Sequence, residues 1–197
     1  MNDFLSFLEN HKELLTLGVV TVGGTFGLWR WTVDQKWRRV QHAQSLVKEF
    51  LAKDTTINAF EILDVTDEPG DFKTPNATEK IEITDALLIG ALSTFDQKNK
   101  NTQQELIIRT VLDAFFEDLS IFQSHIDARL IKLNDIKPYL EYYILELVGQ
   151  GRCHNSSEFG EQVARYLTYF GYGRVITMAK NMGHRFSDVK QPQAKQR

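Results

Sequence analysis

The run Leu14–Trp29 (LLTLGVVTVGGTFGLW) carries no charged residue. Such a run needs an apolar home, either lipid or the core of a protein. A helix crosses ~30 Å of hydrocarbon with roughly 20 apolar residues. The run reaches that length as Leu14–Val33 if Arg30 extends its guanidinium to the headgroups, as an arginine near a helix end can. Trp29, Trp31 and Trp37 are all the tryptophans of the chain, and their clustering at one end fits an interfacial aromatic belt. With Arg30, Arg38 and Arg39 they form the expected membrane-interface set. Gly23 and Gly27 stand at GxxxG spacing, which lets two membrane helices approach closely. The primary expectation is therefore a transmembrane anchor over 14–33. A short amphipathic segment over 1–13 precedes it, with Phe4, Leu5 and Leu8 at helical spacing. The other home would make the protein a fully soluble helical bundle with residues 14–29 in its core. Four glycines and three threonines keep that alternative open, because they make the run only weakly apolar.

Charge divides the chain. Residues 30–53 carry Arg30, Lys36, Arg38, Arg39, Lys48 and Lys53 against Asp34 and Glu49, whereas Lys12 is the one basic residue before the run. By the positive-inside rule the body is expected on the cytoplasmic side of a plasma (inner) membrane, with the N-terminus outside. The lone cysteine, Cys153, agrees with a reducing compartment and permits no internal disulfide. Residues 54–179 hold 11 basic and 20 acidic side chains, an acidic surface that speaks against nucleic acid as a partner. The segment 184–197 is polar and basic and reads as a disordered tail.

Between these ends the apolar spacing is helical almost throughout, so the fold class is all-α, with a helical cytoplasmic domain over 34–183. Trp37, Val40, Gln44, Val47 and Leu51 form a stripe that continues the first helix. A short helix is expected over 56–63. Residues 64–80 read as a loop around Pro69-Gly70 and Pro75, and Ile81 and Ile83 alternate like a brief strand before a helix that runs to Phe95. Thr102-Gln-Gln-Glu105 spells a capping box for a long helix over 103–123, with Asp118 in the middle of its apolar face and Asp113 and Glu117 on a solvated side. Asn134 is the expected cap of a helix over 135–148, and two further helices over 157–171 and 174–182 are separated by Gly171-Tyr-Gly173. The pair of helices within Leu106–Val148, carrying Leu112-Asp-Ala-Phe-Phe-Glu117 and the turn Ile126-Asp127, resembles a broad group of uncharacterised bacterial proteins with one N-terminal anchor and a small helical cytoplasmic domain. That resemblance implies architecture and bacterial origin, and it carries over no functional residue.

Catalytic signatures are missing from the pattern. No histidine follows a glutamate by three positions, no HExxH occurs, and the Gln123–Arg129 turn lacks the ligands of an EF-hand, so neither metal nor cofactor is expected. Adjacent Cys153 and His154 lack a third orienting group for nucleophilic chemistry. Gly149-Gln-Gly-Arg152 and Gly171-Tyr-Gly-Arg174 repeat a GxGR pattern, making Arg152 and Arg174 a candidate anion site, with helix capping as the competing role of the glycines. Asp118 is the candidate for a buried ion pair, with Arg129, Lys132 or Lys137 as partner. All six tyrosines lie between 139 and 172, and Tyr142, Tyr169 and Tyr172 with Leu145 form a candidate partner surface. The expected function is a membrane-tethered, non-enzymatic interaction or regulatory module that binds lipid and docks a protein partner or a second copy of itself. The competing class is an enzyme or binding domain for a phosphorylated small molecule that uses the two GxGR turns.

Overall fold

The computed structural model describes residues 12–64, 70–73, 80–97 and 100–186, with side chains described over 21–64, 81–97 and 100–186. Most of the expected N-terminal amphipathic segment, the Pro69 and Pro75 regions, and the tail beyond residue 186 lie outside the described residues. The elements are α1 (Lys12–Leu51), α2 (Asp54–Leu63), β1 (Gly70–Lys73), β2 (Lys80–Ile83), α3 (Asp85–Ala91), α4 (Gln103–Asp127), α5 (Leu133–Leu147), α6 (Ser157–Tyr169) and α7 (Gly173–Met182). The architecture is predominantly helical, with one antiparallel pair of strands among the described residues, and the chain divides into two compact units, Met1–Gln41 and His42–Arg197.

In the first unit, residues 21–38 are exposed without exception. Val22, Phe26, Trp29, Val33 and Trp37 recur at intervals of four, three, four and four, so they share one face of α1, and each is about half exposed or more. Thr25 Oγ1 donates to the carbonyls of Thr21 and Val22 at 3.0 and 2.9 Å, and Thr32 Oγ1 to that of Trp29 at 2.7 Å. The helix thus satisfies its own hydroxyls. No helix among the described residues is long and apolar enough to cross a membrane. The 40 residues of α1 supply the length. Glycine and threonine dilute the uncharged run, and Arg30 ends it at 16 residues, which is where the expectation of a spanning anchor over 14–33 runs short. Of the run 14–29 that the alternative places in a protein core, residues 21–29 are described and exposed.

The second unit is built around α4. Thr102 Oγ1 accepts from the Glu105 amide at 3.2 Å, and Glu105 Oε2 accepts from the Thr102 amide at 2.7 Å, closing the capping box read from the sequence. Ile108, Leu112, Phe115, Phe116, Leu119 and Phe122 are buried over an arc wider than one stripe, because α2, α3 and α7 all pack on this helix. The last turns of α1 join the same core through Ala43, Val47 and Phe50. Gln44 and Leu51 face solvent, so the buried face is rotated from the stripe expected there. Phe50 meets the rings of Phe115 and Phe122 at 5.8 and 5.2 Å between centroids, and Phe60 stacks on Tyr143 at 3.6 Å.

Three boundaries depart from expectation. The stretch expected as a loop holds β1, whose Phe72 pairs with Ile81 of β2, while Ile81 and Ile83 are buried and Glu82 is exposed, in strand alternation. Helix α3 ends at Ala91, short of Phe95. Helix α5 starts at Leu133, capped when the Asp135 carboxylate accepts from the Lys132 amide at 3.0 Å, so Asn134 lies inside the helix and does not cap it.

Candidate functional site

Asp118 lies on the buried face of α4, where an isolated carboxylate would be costly. Lys53, in the two-residue link between α1 and α2, places Nζ 2.6 Å from its Oδ1. The expected partners were Arg129, Lys132 and Lys137. Of these, Lys137 bonds instead to the Met182 carbonyl and to Glu141, each at 3.2 Å. A pocket of about 100 Å³ opens on the Lys53–Asp118 pair, walled by Leu46, Phe50, Ile121 and Phe122. It has room for a few waters and little more. The ion pair gives the Asp118 carboxylate the partner that its apolar surroundings require.

The GxGR turns have a different explanation from the one a phosphate site would need. Gly149 (φ 72°) and Gly171 (φ 84°) sit in the left-handed region just past the ends of α5 and α6. Gln150 N donates to Leu145 O at 3.0 Å and Tyr172 N to Leu167 O at 2.8 Å, so both turns are helix C-caps. After the first, three consecutive backbone amides converge on one anion, and that anion is internal. The fully buried Glu146 accepts from the amides of Arg152, Cys153 and His154 at 2.8, 3.1 and 2.9 Å. Arg152 and Arg174 are both exposed, and neither lines the pocket at Asp118.

Cys153 and His154 are held by that loop and face different neighbours. Cys153 Sγ lies 3.6 Å from Tyr142 Oη. The buried His154 ring bonds Asp85 through Nδ1 at 3.0 Å and packs on Phe159, while its Nε2 is buried without a hydrogen-bond partner. The two therefore form no nucleophile–base pair with each other. Among the described residues, no three His, Cys, Asp or Glu side chains cluster as metal ligands.

The candidate tyrosine surface divides into separate environments. Tyr142, 38 % exposed, touches Tyr143 and Cys153, and burial first, then the Cys153 contact and nearby Asp64, raises its phenol above the usual range. Leu145 is half-buried. Tyr172 is half-buried against Phe116, and its hydroxyl donates to Asp113 Oδ1 at 3.4 Å. Burial, followed by the charge of Asp113, pushes it up to about 12. Tyr169 joins Phe95 and Phe170 in an exposed aromatic cluster, with Phe95 63 % exposed.

That cluster was not legible as a site in the sequence. Arg109 organises it, with its guanidinium 4.9 to 5.6 Å from the ring centroids of Phe170, Tyr166 and Phe95. Its Nε donates to Tyr166 Oη at 2.9 Å and its Nη2 to the Ser93 carbonyl at 3.2 Å. Tyr166 in turn donates to Asp113 Oδ1 at 2.6 Å, so Asp113, expected on a solvated face, is the terminal acceptor of an Arg–Tyr–Asp chain. Burial and the Asp113 bond raise the Tyr166 phenol. The i, i+4 spacing of Arg109 and Asp113 on α4 was the available signal, and the rings they meet come from other elements. The chain matches no protein-family model, no curated protein and no solved structure.

Proposed function

We propose that this protein is a membrane-tethered, non-enzymatic interaction module. Its α1 seats residues 14–33 in lipid at the plasma (inner) membrane, and its acidic helical body is held on the cytoplasmic side. The observation that carries the proposal is the exposed apolar face Val22, Phe26, Trp29, Val33 and Trp37, with Leu28 and Trp31 exposed beside it. Burying such side chains is worth roughly 1.5–3 kcal/mol each, a gain that water leaves unrealised. The self-satisfied hydroxyls of Thr25 and Thr32 lower the cost of an apolar surrounding. Arg30, Lys36, Arg38 and Arg39 follow directly, and each would add about 1 kcal/mol near an anionic leaflet.

The interaction surface of the body is the Phe95–Tyr169–Phe170 cluster. Arg109 lies against the Phe95 and Phe170 rings and Tyr169 packs on both, so docking a protein partner or a second copy would cost little side-chain ordering. The test is alkaline carbonate extraction of the full chain beside a chain lacking residues 1–33. Retention in the membrane pellet by the full chain alone is the expected result, and release of the full chain to the supernatant would overturn the tether.

A further inference from the structure

His42 and His125 are 83 positions apart in sequence, and the fold brings their rings together, His42 from α1 and His125 from the last turn of α4. His42 Nε2 and His125 Nδ1 stand 3.3 Å apart, with ring centroids 5.2 Å apart and planes inclined by 50°. We propose that these two imidazoles form a binding site for one divalent transition-metal ion of the zinc class, completed by water.

Geometry is the first ground. Zinc binds imidazole nitrogen at about 2.05 Å, so two such nitrogens on a tetrahedral ion stand about 3.3 Å apart. Extending each bond to the middle of its ring puts the centroids about 5.2 Å apart. Both separations match those of the pair. Without an ion the two nitrogens share a hydrogen bond whose donor depends on the tautomer, but a straight N–H···N bond of that length would hold the centroids at about 5.6 Å.

Rigidity is the second ground. His42 precedes the buried Ala43 on α1, and His125 follows the buried Phe122 and Gln123 on α4. The backbone of His125 is fixed from the other side, since its carbonyl accepts from the amide of Leu130 at 3.0 Å in the turn where Arg129 takes a positive φ of 60°. A ligand pair on two packed helices is already positioned, and exposure of His42 leaves room for water in the remaining coordination positions. Imidazole nitrogen suits zinc, nickel, copper and cobalt, and not magnesium or calcium, which prefer oxygen.

The site predicts that an ion staples α1 to the end of α4 and therefore stabilises the folded chain. The test titrates tag-free full chain in detergent with Zn(II) by calorimetry and with Co(II) by absorption spectroscopy, for the wild type, His42→Ala and His125→Ala. Expected are one ion per chain, a tetrahedral cobalt spectrum, a rise in melting temperature with zinc, and at least about tenfold weaker binding in each variant. Circular dichroism of the metal-free variants checks that both are folded. His42→Gln, at an exposed position, replaces His42→Ala if the alanine variant is not. No saturable zinc binding by the wild type would overturn the proposal. So would binding that persists unchanged in folded variants, or a cobalt spectrum of octahedral, purely aquo type.

Discussion

Glu146 offers the sharpest test of how the body is held together. Its carboxylate is fully buried and accepts three backbone amides, Oε1 from Arg152 and Oε2 from both Cys153 and His154. Bonds to a charged acceptor are roughly twice as strong as neutral ones. In Glu146→Gln the best placement keeps the amide oxygen toward Cys153 and His154, which turns the NH2 group toward the Arg152 N–H, donor against donor. Losing charge assistance in two bonds and the third bond outright should cost about 2 kcal/mol. Glu146→Ala removes all three acceptors. Arg152 is exposed and can rehydrate, but His154 is buried, so the cost rises to about 4 kcal/mol once the lost packing is included. At the size of this chain, each kcal/mol lowers the melting temperature by about 2–4 °C. Urea unfolding should show a lower midpoint with an unchanged slope, and amide exchange should quicken at Cys153 and His154. A Glu146→Gln protein within about 0.5 kcal/mol of wild type, with those amides still protected, would refute the reasoning.

Further outcomes follow from the same contacts. Lys53→Met should destabilise by about 1–3 kcal/mol, because it leaves Asp118 buried and unpaired, while Lys53→Met with Asp118→Leu should recover most of that loss in a double-mutant cycle read by urea unfolding. Arg109→Lys keeps the charge but loses the planar stack on Phe170 and Tyr166 and the two-point bonding to Tyr166 and Ser93, so a loss of about 1–2 kcal/mol is expected in the same assay. Alkaline pH should weaken the fold. Tyr143 and Tyr172 are pushed up to about 12 in the folded chain, above the ordinary phenol value of 10.0, chiefly by burial, and Tyr142 and Tyr166 are raised too. A raised phenol stabilises the fold fully below pH 10 and loses that contribution as pH climbs through about 12. Tyrosinate absorbance should therefore show some of the six tyrosines ionising late and together with unfolding, and six ordinary titrations near pH 10 would contradict this.

The sequence carried the helices well wherever local chemistry decides them. The Thr102–Glu105 box opens α4, and Gly171 ends α6 because a left-handed residue is needed there. It carried contacts poorly wherever the partner is remote. Asp118 was legible as a charge needing a partner, but Lys53 is 65 positions away, and three nearer cations competed for the assignment. The GxGR repeat resembled an anion cradle, and the amides after Gly149 do cradle an anion, Glu146, which the same pattern read locally cannot reveal. The hairpin was missed in part because each strand has four residues, too few for period-two alternation to stand out, and a polar connection separates them. Closeness of the tyrosines in sequence did not tell which rings each one meets, Tyr143 for Tyr142 on α5 and Phe95 and Phe170 for Tyr169 on α6.

For the proposed seating of α1 in lipid, the chain carries its own probe. All three tryptophans, Trp29, Trp31 and Trp37, are exposed on α1, and the body has none, so intrinsic emission reports this segment alone. The decisive measurement is tryptophan emission of the full chain, exchanged from detergent into anionic phospholipid vesicles with and without brominated acyl chains. Seating in lipid predicts emission shifted to the blue and quenched by the brominated chains. Emission that stays at the wavelength of exposed indole, unquenched by bromolipid, would contradict the tether.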